Sequence, residues 1–222
     1  MQSSLSTVAR GTAFEQRSLQ LLQDYFSMSL RRVGGKSDGG VDLIGWWWLP
    51  LSESQSPSST PSTLSCRRIR VLAQCKAEKK KFSPNYVREM EGVWHMHAQA
   101  RSPSTSTSEL GTVALLLSES TFTTATLTRA LGSSVPFLLM HLPSPPTLDP
   151  RAENTLGEVG SAFWNPALGG AYGLLRGEFD VRWERDPSGG GRPGLWRRDK
   201  KVQSWTPDNL QGPCVDEFRD AD

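Results

Sequence analysis

At 222 residues the chain is long enough for one well-buried domain with an appended lobe, and short for two full domains. Hydrophobic residues make up 36% and mean hydropathy is −0.43, because Ser/Pro/Thr stretches dilute a core of ordinary composition. A net charge of +2 excludes a global polycationic signal for nucleic acid, and no window approaches the roughly 18 apolar residues of a membrane span, which predicts a soluble protein.

The first 14 residues hold one basic residue, Arg10, no acid and several Ser/Thr. That is the composition of an organelle presequence, although short and weakly charged, and residues 1–10 are read as a stub of such a targeting segment. Thr12 to Ser29 is predicted to be helical: Phe14, Leu21, Leu22, Tyr25 and Phe26 recur near 3.6 spacing, with Thr12 as N-cap and Glu15 three residues on. Leu30 to Val33 is a short strand. Gly34-Gly35-Lys36-Ser37-Asp38-Gly39-Gly40 is a turn rich in glycine.

Val41 to Leu49 reads as a second strand closed by Pro50. A low-complexity Ser/Pro/Thr insertion, about residues 51–66, is expected to be disordered. Ile69 to Lys76 is a third strand, expected beside the second across a long loop of small entropic cost. Pro84 opens a helix to about Ala98, with proline in its first turn; Val87, Met90, Val93 and Trp94 mark its buried side, with Met96 at the margin. Residues 101–108 form another polar loop. Thr112 to Ser118 is a continuously apolar run of the kind a buried strand presents. A helix over Thr121–Leu131 and a strand over Pro136–Leu142 complete the core.

Helix, three strands, helix, strand, helix, strand predicts a mixed α/β sandwich over residues 11–142. Pro143-Ser144-Pro145-Pro146 opens a proline-rich boundary at 143–150. Beyond it, residues 151–222 form a Trp/Gly-rich extension in which Asp180–Glu184 and Gly194–Arg197 suggest a hairpin about Pro187–Gly191.

The three cysteines, Cys66, Cys75 and Cys214, are odd in number and far apart, and no CxxC occurs. This argues against a disulfide framework or a zinc site and for a reducing compartment.

Four chemistry-bearing features line up along the predicted elements. Glu15 lies on the first helix; Asp42 follows Gly39-Gly40 into the second strand; Gln74 and Lys76, two apart on the third strand, share a face. If the two strands are neighbours, Asp42 meets Gln74 and Lys76 at one end of the sheet. Phosphodiester hydrolysis requires a hard cation on oxygen ligands with positions left for water and phosphate. Asp42 offers a carboxylate, Gln74 an amide oxygen and Cys75 a backbone carbonyl to Mg2+, with Mn2+ as substitute. Lys76 would position the attacking water and offset charge on the phosphorane, and Glu15 could hold a metal-bound water or a second cation. Lys36, Ser37, Gly39 and Gly40 of the turn and Lys79, Lys80 and Lys81 beyond the third strand are the candidate nucleic-acid contacts; glycines admit a close backbone approach.

Asp38-Gly39-Gly40-Val41-Asp42-Leu43 followed by Val71-Leu72-Ala73-Gln74-Cys75-Lys76 resembles the D-G-G-x-D … Q-x-K signature of Mrr-like restriction endonucleases, a family of the PD-(D/E)xK nuclease superfamily. Gly11-Thr12-Ala13-Phe14-Glu15 is similar to that family's opening helix with its glutamate, and Glu119–Thr123 to its segment entering the last core helix; the likeness covers about residues 10 to 142. Within the superfamily the chain is most similar to the fungal mitochondrial required-for-respiratory-growth proteins with an Mrr-like domain. The opening helix, the Trp-rich second strand, Trp164-Asn165-Pro166 and Val181-Arg182-Trp183 carry that likeness.

The resemblance implies a restriction-endonuclease-like sandwich and a mitochondrial location. It implies a metal-dependent deoxyribonuclease acting in DNA maintenance for respiratory growth, with RNA still open and a homodimer possible in a superfamily that often pairs to cut two strands. Gln74 departs from the carboxylate usual in the superfamily, as Mrr-like nucleases do; it removes a negative charge from the cation site and weakens binding. A nuclease-fold protein that binds nucleic acid, or acts as a scaffold, without cutting is therefore the alternative.

Other residues have plainer readings. His95 and His97, two apart on a helix, do not share a face. Trp46-Trp47-Trp48 suit a strand buried on both faces better than base stacking. Arg129 near a helix end complements the dipole.

Overall fold

A computed structural model of the chain describes residues 6–33, 40–50, 66–99, 109–145, 158–185, 191–204 and 206. Helix α1 (Thr7–Phe26) is followed by strands β1 (Met28–Arg32), β2 (Leu43–Pro50) and β3 (Cys66–Lys76). Then come α2 (Pro84–Gln99), β4 (Glu109–Ser118), α3 (Thr124–Leu131) and β5 (Phe137–His141). A short strand β6 (Ser161–Trp164) and α4 (Pro166–Gly169) lead into β7 (Phe179–Arg185), β8 (Gly191–Arg197) and β9 (Lys200–Lys201).

Strands β1 to β6 make one mixed sheet in chain order. β1, β2 and β3 run antiparallel to one another, β3, β4 and β5 run parallel, and β6 closes the far edge antiparallel to β5. The parallel strands are apolar along their middles (Val71–Ala73, Val113–Leu117, Phe137–Met140) because both of their faces are covered there. Side chains alternate strictly. Ile69, Val71, Ala73, Val113, Leu115, Leu117, Leu138 and Met140 pack with Phe14, Leu21, Leu22 and Phe26 of α1. Leu72, Ala114, Leu116, Phe137 and Leu139 pack with Val87, Met90 and Val93 of α2 and Ala130 of α3. Helices thus flank the sheet on both faces.

The expected order of elements is present over the first eight, with shifted ends. α1 begins at Thr7, ahead of the expected cap at Thr12, because Ser6 accepts from the Ala9 N–H at 3.2 Å and caps the helix. Residues 7–10 of the expected targeting stub are therefore helical. The C-terminal end is set by Ser27 in the left-handed region (φ 56°), its N–H bonded to the Leu22 carbonyl. On α2, Val87, Met90 and Val93 are buried as expected, whereas Met96 is 61% exposed, because the apolar stripe has rotated away from the sheet by that turn. α3 starts at Thr124, with Thr123 as its N-cap. Pro50 stands within β2, paired with Cys66, and does not end the strand ahead of itself.

Beyond the proline-rich stretch, β6 extends the sheet, and Leu168, Leu175, Phe179 and Leu195 join the cluster on the α1 face. β7 and β8 pair antiparallel from Phe179↔Arg197 to Arg185↔Gly191, and β9 completes a second, three-stranded sheet. Residues 51–65 of the expected disordered insertion, the 101–108 loop and the turn residues 34–39 lie outside the described residues; Cys66, expected at the end of that insertion, is instead the first residue of β3, paired with Pro50.

Candidate functional site

β3 and β2 are neighbours, with Leu43 opposite Ala73. Asp42 stands one residue ahead of β2 and is held by hydrogen bonds to β3 and to the residue after β1. Its N–H donates to the Ala73 carbonyl at 2.8 Å, its carbonyl accepts from the Val33 N–H at 2.8 Å, and its Oδ2 accepts from the Cys75 N–H at 2.6 Å. A charge-assisted bond of that length orients the carboxylate as well as the backbone. In a strand the N–H and C=O of one residue leave the same edge, so the Cys75 carbonyl also points to the Asp42 side, past the end of β2.

Gln74 is 5% exposed, and its Oε1 is buried without a hydrogen-bond partner. Such an orphan is costly unless something satisfies it. The close approach of the preceding turn explains Gly40: its φ of 87° suits glycine, and a Cβ there would lie 3.3 Å from Gln74 Nε2.

Cys75 faces α1, half-buried. Burial pushes its thiol well above its ordinary range; Asp42 and Glu15 push the same way, and a Ser18 hydrogen bond and Lys76 oppose them. The side chain therefore stays a thiol at neutral pH, a poor nucleophile and ligand. Those four influences place Asp42, Glu15, Ser18 and Lys76 around the same strand end. Lys76 leaves on the opposite face, its Nζ 4.9 Å from the centre of the Tyr86 ring on α2. The Tyr86 hydroxyl donates to the Glu78 carboxylate at 3.2 Å. Burial first, and Glu78 next, push the Tyr86 phenol up, which keeps it a donor.

Glu15 on α1 accepts from Arg32 Nε, at the end of β1, at 2.6 Å. Lys79, Lys80 and Lys81 are exposed between β3 and Phe82. Lys36, Ser37 and Gly39 lie outside the described residues, so of the turn only Gly40 is placed.

Motif spacing did not reveal several polar groups here. Arg10 binds Glu119 through Nε at 3.0 Å and through Nη2, and Ser144 donates to the same carboxylate. The Glu119 N–H donates to the Lys76 carbonyl at 3.0 Å, which sets Glu119 beside the strand end. Arg17 donates to the Pro143 carbonyl at 2.7 Å and the Glu158 carbonyl at 3.1 Å, holding the exit of β5 to α1. No local pattern could pair residues more than 100 positions apart; the available signs were an acid directly after the predicted strand and the likeness of Glu119–Thr123 to the Mrr-like segment entering the last core helix.

All of this lies at the carboxyl ends of the parallel strands β3, β4 and β5, where open α/β sheets bind ligands. Among the described residues no group of three or more His, Cys, Asp or Glu side chains is disposed to hold a metal. The donors here are of another composition: one carboxylate, one buried amide oxygen without a partner and one backbone carbonyl. They are hard oxygen donors of the kind magnesium takes when waters and substrate supply the remaining positions, and the orphaned Gln74 Oε1 is an atom such an ion would satisfy.

The family model described as Required for respiratory growth protein 7 matches residues 6–165, from the cap of α1 to Asn165. The chain belongs to this family. An uncharacterized mitochondrial protein of Schizosaccharomyces pombe is 36% identical over 90 residues, 40% of this chain and 31% of that protein. The mitochondrial Required for respiratory growth protein 7 of Vanderwaltozyma polyspora is 26% identical over 130 residues, 46% of this chain and 52% of that protein. The chain thus spans between about a third and a half of the length of these relatives. Both are named mitochondrial, and this member of the respiratory-growth family is mitochondrial. Among solved structures, the MspJI restriction endonuclease in complex with a 27-mer oligonucleotide is similar at a TM-score of 0.35 and 12% identity, over 63% of this chain and 32% of that one. No helix among the described residues is long and apolar enough to cross a membrane.

Proposed function

We propose that this respiratory-growth protein is a magnesium-dependent endonuclease with a restriction-endonuclease-like core, hydrolysing DNA phosphodiesters in mitochondrial DNA maintenance. One observation carries the reading: the Asp42 carboxylate is locked on the Cys75 N–H beside a buried, unpartnered Gln74 oxygen, with Lys76 next along the strand. Asp42, Gln74 and the Cys75 carbonyl would hold the cation. Bound there, it would lower the pKa of a water and neutralise a phosphate oxygen.

The chain's own residues do the rest. The Cys75 N–H keeps Asp42 oriented. Lys76, stacked on Tyr86, presents its ammonium to the scissile phosphate and offsets charge developing on it. Lys79, Lys80 and Lys81 contact flanking phosphates and add affinity without sequence preference. Gly40 lets the nucleic-acid backbone pass close, and Lys36, Ser37 and Gly39, named from the sequence, are the further contacts of this reading. Cutting both strands calls for two such sites, hence a homodimer on duplex DNA. RNA offers the same phosphodiester, and a panel of duplex, single-stranded and RNA substrates separates the two.

The test is nicking of supercoiled plasmid by the purified chain with magnesium or manganese. Activity is expected to need the cation and to fall at least about a thousandfold, to background, in Asp42→Ala and in Lys76→Ala, a range typical of lost transition-state groups. Cleavage that persists in both variants assigns the chemistry elsewhere.

A second reading, a weak or inactive nuclease-fold protein that binds nucleic acid or acts as a scaffold, draws on the same Gln74: it brings no charge to the cation, and its oxygen is buried. On that reading Asp42→Ala supports respiratory growth as well as wild type does. A respiratory defect from that single change excludes it.

A further inference from the structure

Arg32 ends the edge strand β1 opposite Leu43, one position from Asp42, and the Val33 N–H that follows it binds the Asp42 carbonyl. It shares a strand face with Leu30, which packs toward α1. Arg32 therefore stands on the α1 side of the candidate site, and Lys76, against Tyr86, on the α2 side. The two cations thus lie on opposite faces of the sheet end that carries Asp42.

The Arg32 head group is aimed by contacts from α1. Its Nε donates to Glu15 Oε2 at 2.6 Å, and its Nη2 lies 3.5 Å from Thr12 Oγ1. Its Nη1 has no hydrogen bond among the described residues, and the side chain is 41% exposed while that of Glu15 is 19% exposed. An ion pair as exposed as this contributes little to stability. A planar guanidinium held at one edge and open at the other, however, is already disposed to grip a phosphate.

We propose that Arg32 is a phosphate-binding residue for the nucleic-acid backbone, and that Glu15 is the positioning residue that orients it, in place of a second cation. The proposal rests on the nucleic-acid reading given above and adds a contact that needs no metal. A strand laid over the sheet end would meet Arg32 on one side and Lys76 on the other, with the scissile phosphate held near Asp42.

The experiment is binding of a fluorescently labelled 20-base-pair duplex to the full chain in EDTA, by anisotropy, across a salt series. Arg32→Ala is expected to weaken binding about tenfold and to lower the salt slope by about one, the loss of one phosphate contact. Arg32→Lys should restore the slope and part of the affinity, because it keeps the charge without the fork. Glu15→Gln should weaken metal-free binding by a smaller factor. Melting temperatures of the variants, expected close to wild type, check folding. Arg32→Ala bound as tightly as wild type, with the same slope, overturns the proposal and leaves the cation site standing. Glu15→Gln that changes only the manganese requirement, with metal-free binding intact, overturns the role given to Glu15. Wild-type chain that does not bind the duplex at all overturns both this proposal and the nucleic-acid reading beneath it.

Discussion

Asn165 joins five backbone groups through one buried amide. The two N–H groups of its Nδ2 are shared among the carbonyls of Ala130, Ser133 and Val135 at 3.0, 3.0 and 2.8 Å, and its Oδ1 accepts from the N–H groups of Phe137 and Leu168 at 3.0 and 3.1 Å. It ties the end of α3, the start of β5 and the cap of α4 to one point. Asn165→Ala leaves several of these groups buried and unpaired, so urea denaturation should record a loss of about 3 kcal/mol. His141, at the end of β5, carries a pH dependence. Burial lowers its pKa from the ordinary 6.5, with Arg17 in the same direction and a hydrogen bond at Glu119 opposing. The unfolded chain therefore takes up this proton first. The contribution of His141 to stability is full above about pH 6.5 and is lost as pH falls toward the folded value. His141→Gln should flatten that part of the stability profile, measured as melting temperature against pH. At this scale residue type and spacing sufficed to set Asp42, Gln74 and Lys76 at one sheet end as candidates, and the bond that unites Asp42 with β3 agrees with that juxtaposition. Arg32 and the Arg10–Glu119 pair could not be named, because a lone arginine on a strand or helix declares no partner until the fold supplies one.

Among the elements, the hairpin of β1 and β2 depends on one missing side chain. Gly45 sits opposite Leu30, and a Cβ there would lie 2.1 Å from the Ser29 carbonyl oxygen and 2.8 Å from Leu30 Cα. Both are backbone atoms and cannot swing aside. Gly45→Ala is expected to cost about 3 kcal/mol or more by forcing the strands apart. Gly92 in α2 has no atom within 4 Å of an added Cβ, so Gly92→Ala should stabilise by about 0.5–1 kcal/mol. Thermal melts of the two variants beside wild type test both signs. The eight elements through β5 were legible in the sequence but not β6, which joins the same sheet, and element ends were hidden where polar residues are buried by distant partners. β3 starts at Cys66 rather than Ile69: Arg67 is 6% exposed, 3.6 Å from Glu178 and stacked over Phe179, and Arg68 lies over Trp46 at 4.3 Å. An arginine pair reads locally as a solvated face; here residues more than 100 positions downstream cover the first of them. The tryptophan run divides as an internal strand should, with Trp47 and Trp48 buried and Trp46 under Arg68. Arg129 pairs with Glu91 across α2 and α3, in addition to its place near a helix end.

For the molecule as a whole, the proline-rich stretch separates compositions more sharply than it separates cores. Leu168, Leu175, Phe179 and Leu195 beyond it share one apolar cluster with Phe14 and Leu22 of α1. The Ser204 hydroxyl donates to the Gln23 carbonyl at 2.7 Å and accepts from the Ser27 N–H at 3.1 Å, closing the end of the first helix with a residue from the far end of the chain. Composition could not foresee this, since burial of the extension depends on a surface that exists only once the sheet has formed. What the whole fold then presents is a sheet end carrying a fixed carboxylate, a buried amide oxygen without a partner and cations on both faces. The measurement that bears most directly on its role is anomalous diffraction from crystals of the full chain soaked in manganese. A single peak is expected between Asp42, Gln74 and the Cys75 carbonyl, absent from Asp42→Ala. No peak at that point, or one that survives in Asp42→Ala, would contradict the cation site.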